Sequence, residues 1–104
     1  MSQHIIALPT PQAGSVVVTA GFDPRLSETF VNYCGQDCEY VSGPGLRVED
    51  INPLLQQQLQ TQIPMQLLDA VRQDIADYLA GAEDIGRRVS RYDSAGTCID
   101  STRW

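Results

Sequence analysis

The sequence predicts a single α+β domain over residues 1–104, with a small antiparallel sheet of three to four strands in the N-terminal half packed against two C-terminal helices. Two observations carry this expectation. Residues 1–45 hold β-branched and aromatic runs punctuated by Gly, Pro and Asp, which reads as a β-meander. Residues 50–81 change to apolar positions at helical spacing, with prolines where helices begin. A chain of 104 residues suffices for one core and is too short for two.

Ile5-Ile6-Ala7-Leu8 forms a short apolar run that Pro9 and Pro11 must end, because proline withdraws a ladder donor. Val16-Val17-Val18-Thr19 is the strongest strand signal in the chain. Gly21-Phe22-Asp23-Pro24-Arg25 supplies turn chemistry after it, since Asp bonds the backbone and Pro presets φ. Thr29–Tyr33 then reads as another strand, Gly35-Gln36-Asp37 as a loop, and Cys38-Glu39-Tyr40-Val41 as the returning strand. Ser42-Gly43-Pro44-Gly45 closes the meander. These glycines are turn residues, for neither the pattern nor the lysine of a phosphate loop is present.

From Glu49 onward Ile51, Leu55 and Leu59 recur every fourth residue, with Asp50 or Asn52 as cap and Pro53 at a first-turn position. Pro64 stops this helix and opens the next, because it disfavours helical geometry at Ile63. Met65 to Ala80 is the best helix of the chain. Leu68, Val71, Ile75, Tyr78 and Leu79 fall on one arc at 100° per residue, opposite Gln66, Asp69, Gln73 and Asp77. Asp69 pairs with Arg72 on the outer surface, and Gly81 stands where a left-handed cap belongs. Residues 87–104 alternate poorly, so they read as a polar, mildly basic tail or as an edge strand around Thr97-Cys98-Ile99.

Charge narrows the function. The chain carries thirteen carboxylates, seven arginines, no lysine and the single His4, for a net charge of −6. Missing lysine removes P-loop and Schiff-base chemistry, and the acidity opposes direct nucleic-acid binding. Arg87, Arg88 and Arg91 beside Tyr92 form the one basic cluster, which solvation of a helix end and tail explains. His4 lies in a segment expected to be mobile or edge-like, and no nucleophile elbow surrounds any serine, so no enzymatic role is expected. No signal peptide or membrane span is legible near the N-terminus. A cytoplasmic location without membrane association is the expectation.

Two sets of residues remain as candidate surfaces. Asp69, Asp74, Asp77, Glu83 and Asp84 are expected to gather along one side and end of the long helix, where they would steer a basic partner. Trp104 is added because an indole outside any core exposes a large apolar surface. Cys34 and Cys38 form a candidate thiol pair across a tight hairpin. Zinc would need further ligands from Cys98 and His4, which lack paired spacing, so neither metal nor cofactor is expected. The resulting expectation is a small acidic interaction or regulatory protein that binds a protein partner, for instance an inhibitor occluding a basic nucleic-acid-binding surface. The alternatives are a cysteine-based metal- or redox-responsive module and a self-associating structural subunit that forms homo-oligomers.

Overall fold

The computed structural model describes residues 1–12 and 14–103, the last of these by its backbone. Four strands come first: β1 Gln3–Thr10, β2 Gly14–Asp23, β3 Glu28–Cys34 and β4 Glu39–Val41. Helices α1 Ile51–Leu59 and α2 Met65–Leu79 follow, then β5 Arg88–Tyr92 and β6 Cys98–Arg103. All six strands join one sheet in the order β4-β3-β2-β1-β5-β6. The first four make the expected meander, except that β1 runs on through Pro9 to Thr10 instead of ending at Pro9. The chain then crosses over through both helices and returns β5 parallel to β1, so the sheet is mixed rather than purely antiparallel.

The α+β class therefore holds, with six strands where the sequence suggests three to four. The missed strand, β5, reads Arg-Val-Ser-Arg-Tyr, and its buried positions are polar or aromatic, so apolar alternation never shows in it. Of the two readings of the last stretch, tail or edge strand, the edge strand is formed as β6, which pairs with β5 and leaves Tyr92 and Cys98 beside a register irregularity.

Alternation sorts the strands cleanly. Ile6 and Leu8 of β1, Val16, Val18 and Ala20 of β2, and Val31 and Tyr33 of β3 point to one face. There they meet Ile51, Leu55 and Leu59 of α1, Ile63, and Leu67, Leu68 and Val71 of α2. Neighbouring strands match in register on the opposite face as well. One row runs Asp100, Arg91, Ile5, Thr19, Asn32, Val41, and the next Ala7, Val17, Cys34, Glu39.

Local chemistry explains where the elements begin and end. Asp23 Oδ1 accepts the Arg25 N–H at 3.0 Å, as the Asp-Pro turn requires. α1 stops before Pro64 is reached, at Gln60 in the left-handed region with φ 55°. Asn52 then holds the connection to α2: its side-chain amide donates to the Ile63 carbonyl and accepts from the Ile63 N–H, at 3.1 and 2.8 Å. Gly81, with φ +94°, closes α2, and its N–H bonds the Tyr78 carbonyl. Gly21 serves a different need, because a Cβ there would lie 2.1 Å from the Ser2 carbonyl oxygen. That close approach lets the Ser2 N–H bond the Phe22 carbonyl, while Ser2 Oγ accepts the Phe22 N–H.

The predicted face of α2 needs one correction. Leu79 is 78% exposed, whereas Asp74 is only 2% exposed. The buried stripe runs Leu67, Val71, Asp74, and a carboxylate occupies a position where the sequence pattern expected the solvent side.

Candidate functional site

Asp74 is buried because three elements supply it with partners. β1 brings His4, whose Nε2 lies 2.6 Å from Asp74 Oδ2, and β5 brings Arg88, whose guanidinium donates to Asp74 Oδ1 at 3.0 Å. Ser2 lies close enough to favour the charged form of this carboxyl as well. Burial alone would raise the Asp74 pKa, but the bonds from His4 and Arg88, the nearby Ser2 and the neighbouring positive charge outweigh it and hold the group below its ordinary value.

Arg88 sits in the middle of an acidic claw. Its guanidinium donates to Asp77 Oδ2 at 2.7 Å and Asp84 Oδ1 at 2.9 Å as well as to Asp74, and it remains 12% exposed. Burial opposes its charge, yet bonds to Asp84, Asp77 and Asp74 hold its pKa above the usual arginine value. The claw ties the end of α2 to the turn at Ile85–Arg87 and to the start of β5.

His4 continues the network through its other nitrogen. Nδ1 lies 2.5 Å from Ser90 Oγ, and Ser90 Oγ lies 3.2 Å from the Tyr92 hydroxyl. Ser90 has one proton to share between these neighbours. When Nδ1 is unprotonated it accepts from Ser90; when protonated it donates, and Ser90 turns to Tyr92. Burial pushes the Tyr92 pKa up, against the bond to Ser90, so its hydroxyl stays protonated. A groove of about 200 Å³ opens over this cluster between α2 and β6, lined by Gln73, Ser90, Tyr92, Cys98 and Ser101 among others.

The acidic surface expected from the sequence is thus divided. Asp74, Asp77 and Asp84 converge on Arg88, Asp69 pairs with Arg72 at 3.0 Å on the outer side of α2, and Glu83 is exposed. The arginines are dispersed too: Arg88 turns into the claw, while Arg91 is exposed on the face opposite the helices. Trp104 lies outside the described residues. Cys34 and Cys38 are free, with Cys34 opposite Glu39 in the register, and Cys98 lies four strands beyond β3 in the sheet order. Among the described residues, no three His, Cys, Asp or Glu side chains gather where they could hold a metal ion.

A second surface was missed in the sequence. The sheet face away from the helices carries Ile5, Ala7, Val17, Phe30 and Val41, of which Val17 and Val41 are 46% and 69% exposed. A depression of about 220 Å³ lies on it between Val17, Thr19, Asn32, Cys34 and Val41. Its strand-end and edge positions carry Glu28, Glu39 and Asp100 against Arg91. The apolar residues at both parities, as in Ile5-Ile6-Ala7-Leu8 and Val16-Val17-Val18, are the signal that neither face of the sheet is wholly polar.

A cleft of about 560 Å³ lies elsewhere, between the β1–β2 and β3–β4 turns and the glutamines of α1. Its polar lining is mainly amide, and Tyr33 there donates to Gln58 at 2.8 Å, so it brings no acid–base pair together. No helix among the described residues is long and apolar enough to cross a membrane. No family model, curated protein sequence or solved structure matches this chain.

Proposed function

We propose that this chain is a protein-binding module whose docking surface is the sheet face opposite the helices, and that its partner presents an apolar segment flanked by basic residues. The observation that carries this reading is the pair of exposed apolar side chains on that face, Val17 in β2 and Val41 in the edge strand β4, which border one depression. Covering such a patch gains about 25 cal/mol per Å² of apolar surface, and contiguous patches of this kind mark interaction sites. Three acids and one arginine bound it, and the chain as a whole carries −6, which favours a basic rim on the partner. A second copy would bring like-charged rims together, so the occupant is a different protein. A basic nucleic-acid-binding surface fits this description, and the chain would act on it as an inhibitor.

This keeps the acidic interaction protein expected from the sequence and moves its surface from α2 to the sheet. The reason is that Arg88 already engages Asp74, Asp77 and Asp84. The test compares affinity capture from native cells by the wild-type chain, by Val17→Arg/Val41→Arg, and by Asp69→Arg. Basic proteins retained by wild type and Asp69→Arg but lost from the double variant support the reading. Retention by the double variant overturns it, as does a stable dimer in light scattering that the double variant alone dissolves.

A further inference from the structure

The second site lies on the other side of the sheet and does not rest on the binding reading. Expecting no catalysis depended on His4 being in a mobile or edge-like segment. β1 instead has β2 on one side and β5 on the other, and His4 is 4% exposed. The fold brings a base, a carboxylate and a hydroxyl from sequence positions 4, 74 and 90 into one line, with both connecting distances at hydrogen-bond length.

We propose that Ser90 is a nucleophile for acyl transfer from small esters, activated by His4 and oriented by Asp74. A neutral imidazole has one donor and one acceptor nitrogen. Asp74 Oδ2 accepts the proton on Nε2, which leaves the Nδ1 lone pair aimed at Ser90 Oγ. The two ring nitrogens are used in the opposite sense to the familiar serine-protease triad, but the proton path is the same. Arg88 fixes the remaining oxygen of Asp74, so the carboxylate cannot rotate away from the ring.

In the first half-reaction the Ser90 proton passes to Nδ1 as Oγ bonds to the ester carbonyl carbon, and the carbonyl π pair moves onto oxygen. The Tyr92 hydroxyl, which accepts from Ser90 Oγ at 3.2 Å, keeps its own proton and can donate it to that oxyanion once the Ser90 proton has gone to Nδ1. The bond to the leaving alcohol then breaks, and Nδ1–H returns its proton to the departing oxygen. Water repeats the sequence on the acyl-serine, releasing the acid and restoring the Ser90 hydroxyl. The balance is ester plus water to acid plus alcohol, with no oxidant or reductant. A groove near 200 Å³ admits only a small acyl group, and the carboxylates around Arg88 favour a neutral or cationic one over an anion.

The test treats the full chain with a fluorophosphonate probe and follows intact mass and peptide mapping, alongside hydrolysis of p-nitrophenyl acetate. One adduct on Ser90 is expected, absent in Ser90→Ala and formed at least about a hundredfold more slowly in His4→Gln, the scale of a lost general base. Ser90→Ala removes a single hydroxyl, and circular dichroism of both variants verifies that the fold survives. If a variant unfolds, the wild-type labelling site still decides. The proposal is overturned if folded wild-type protein gains no adduct on Ser90, or if folded His4→Gln labels as fast as wild type; the cluster is then a fold anchor alone.

Discussion

Replacing Arg88 by methionine removes the cation from a claw of three carboxylates while keeping most of the side-chain bulk. The cost is unequal among the acids. Asp77 and Asp84 have side chains 31% and 32% exposed and can recover water, whereas the Asp74 side chain is 3% exposed and cannot. Breaking a buried pair by removing one partner costs about 3–5 kcal/mol. Asp74 keeps Ser2 and His4, which places the loss near the lower end, about 3 kcal/mol. At roughly 4–8 °C per kcal/mol for a domain of this size, the midpoint falls by about 12–24 °C. Differential scanning fluorimetry measures this, and Asp74→Asn added to Arg88→Met should return part of the loss, because the orphaned charge is gone. A midpoint lowered by less than about 3 °C, or no recovery in the double variant, would mean that Arg88 does not compensate a buried Asp74 charge.

Two further outcomes follow from the same network and its surroundings. Gly21→Ala drives a Cβ against the Ser2 carbonyl and should destabilise by about 1–3 kcal/mol, read as a lower urea midpoint at unchanged slope. Acid should act through Asp74: its folded pKa lies below the ordinary 3.8, so its contribution is complete above that value and is lost as pH falls through the lower folded value. Urea midpoints at successive pH values below 4 should therefore fall more steeply for wild type than for Asp74→Asn.

The meander and both helices were legible because their residues obey simple periods: Val16 and Val18 alternate into the core, and Ile51, Leu55 and Leu59 repeat along α1. β5 was not, because Ser90 and Tyr92 bury polar groups that only find partners once β1 and α2 are in place. Asp74 was misplaced for the same reason. An aspartate on a helix reads as surface until His4, seventy residues earlier, and Arg88, fourteen later, arrive to compensate it. The Asp69–Arg72 pair and the Gly81 cap, both local, were read correctly. The open sheet face escaped notice because exposure of Val17 depends on which side α1 and α2 pack, and sequence spacing does not say.

Site-specific photocrosslinking distinguishes the two surfaces. A benzophenone side chain at position 17 samples the open sheet face, and the same group at position 69 samples the outer side of α2. Irradiation in native cells should join a basic protein to position 17 and not to position 69. Adducts at position 69 alone, or adducts at position 17 only with a second copy of the chain, would contradict docking of a different protein on the open sheet face.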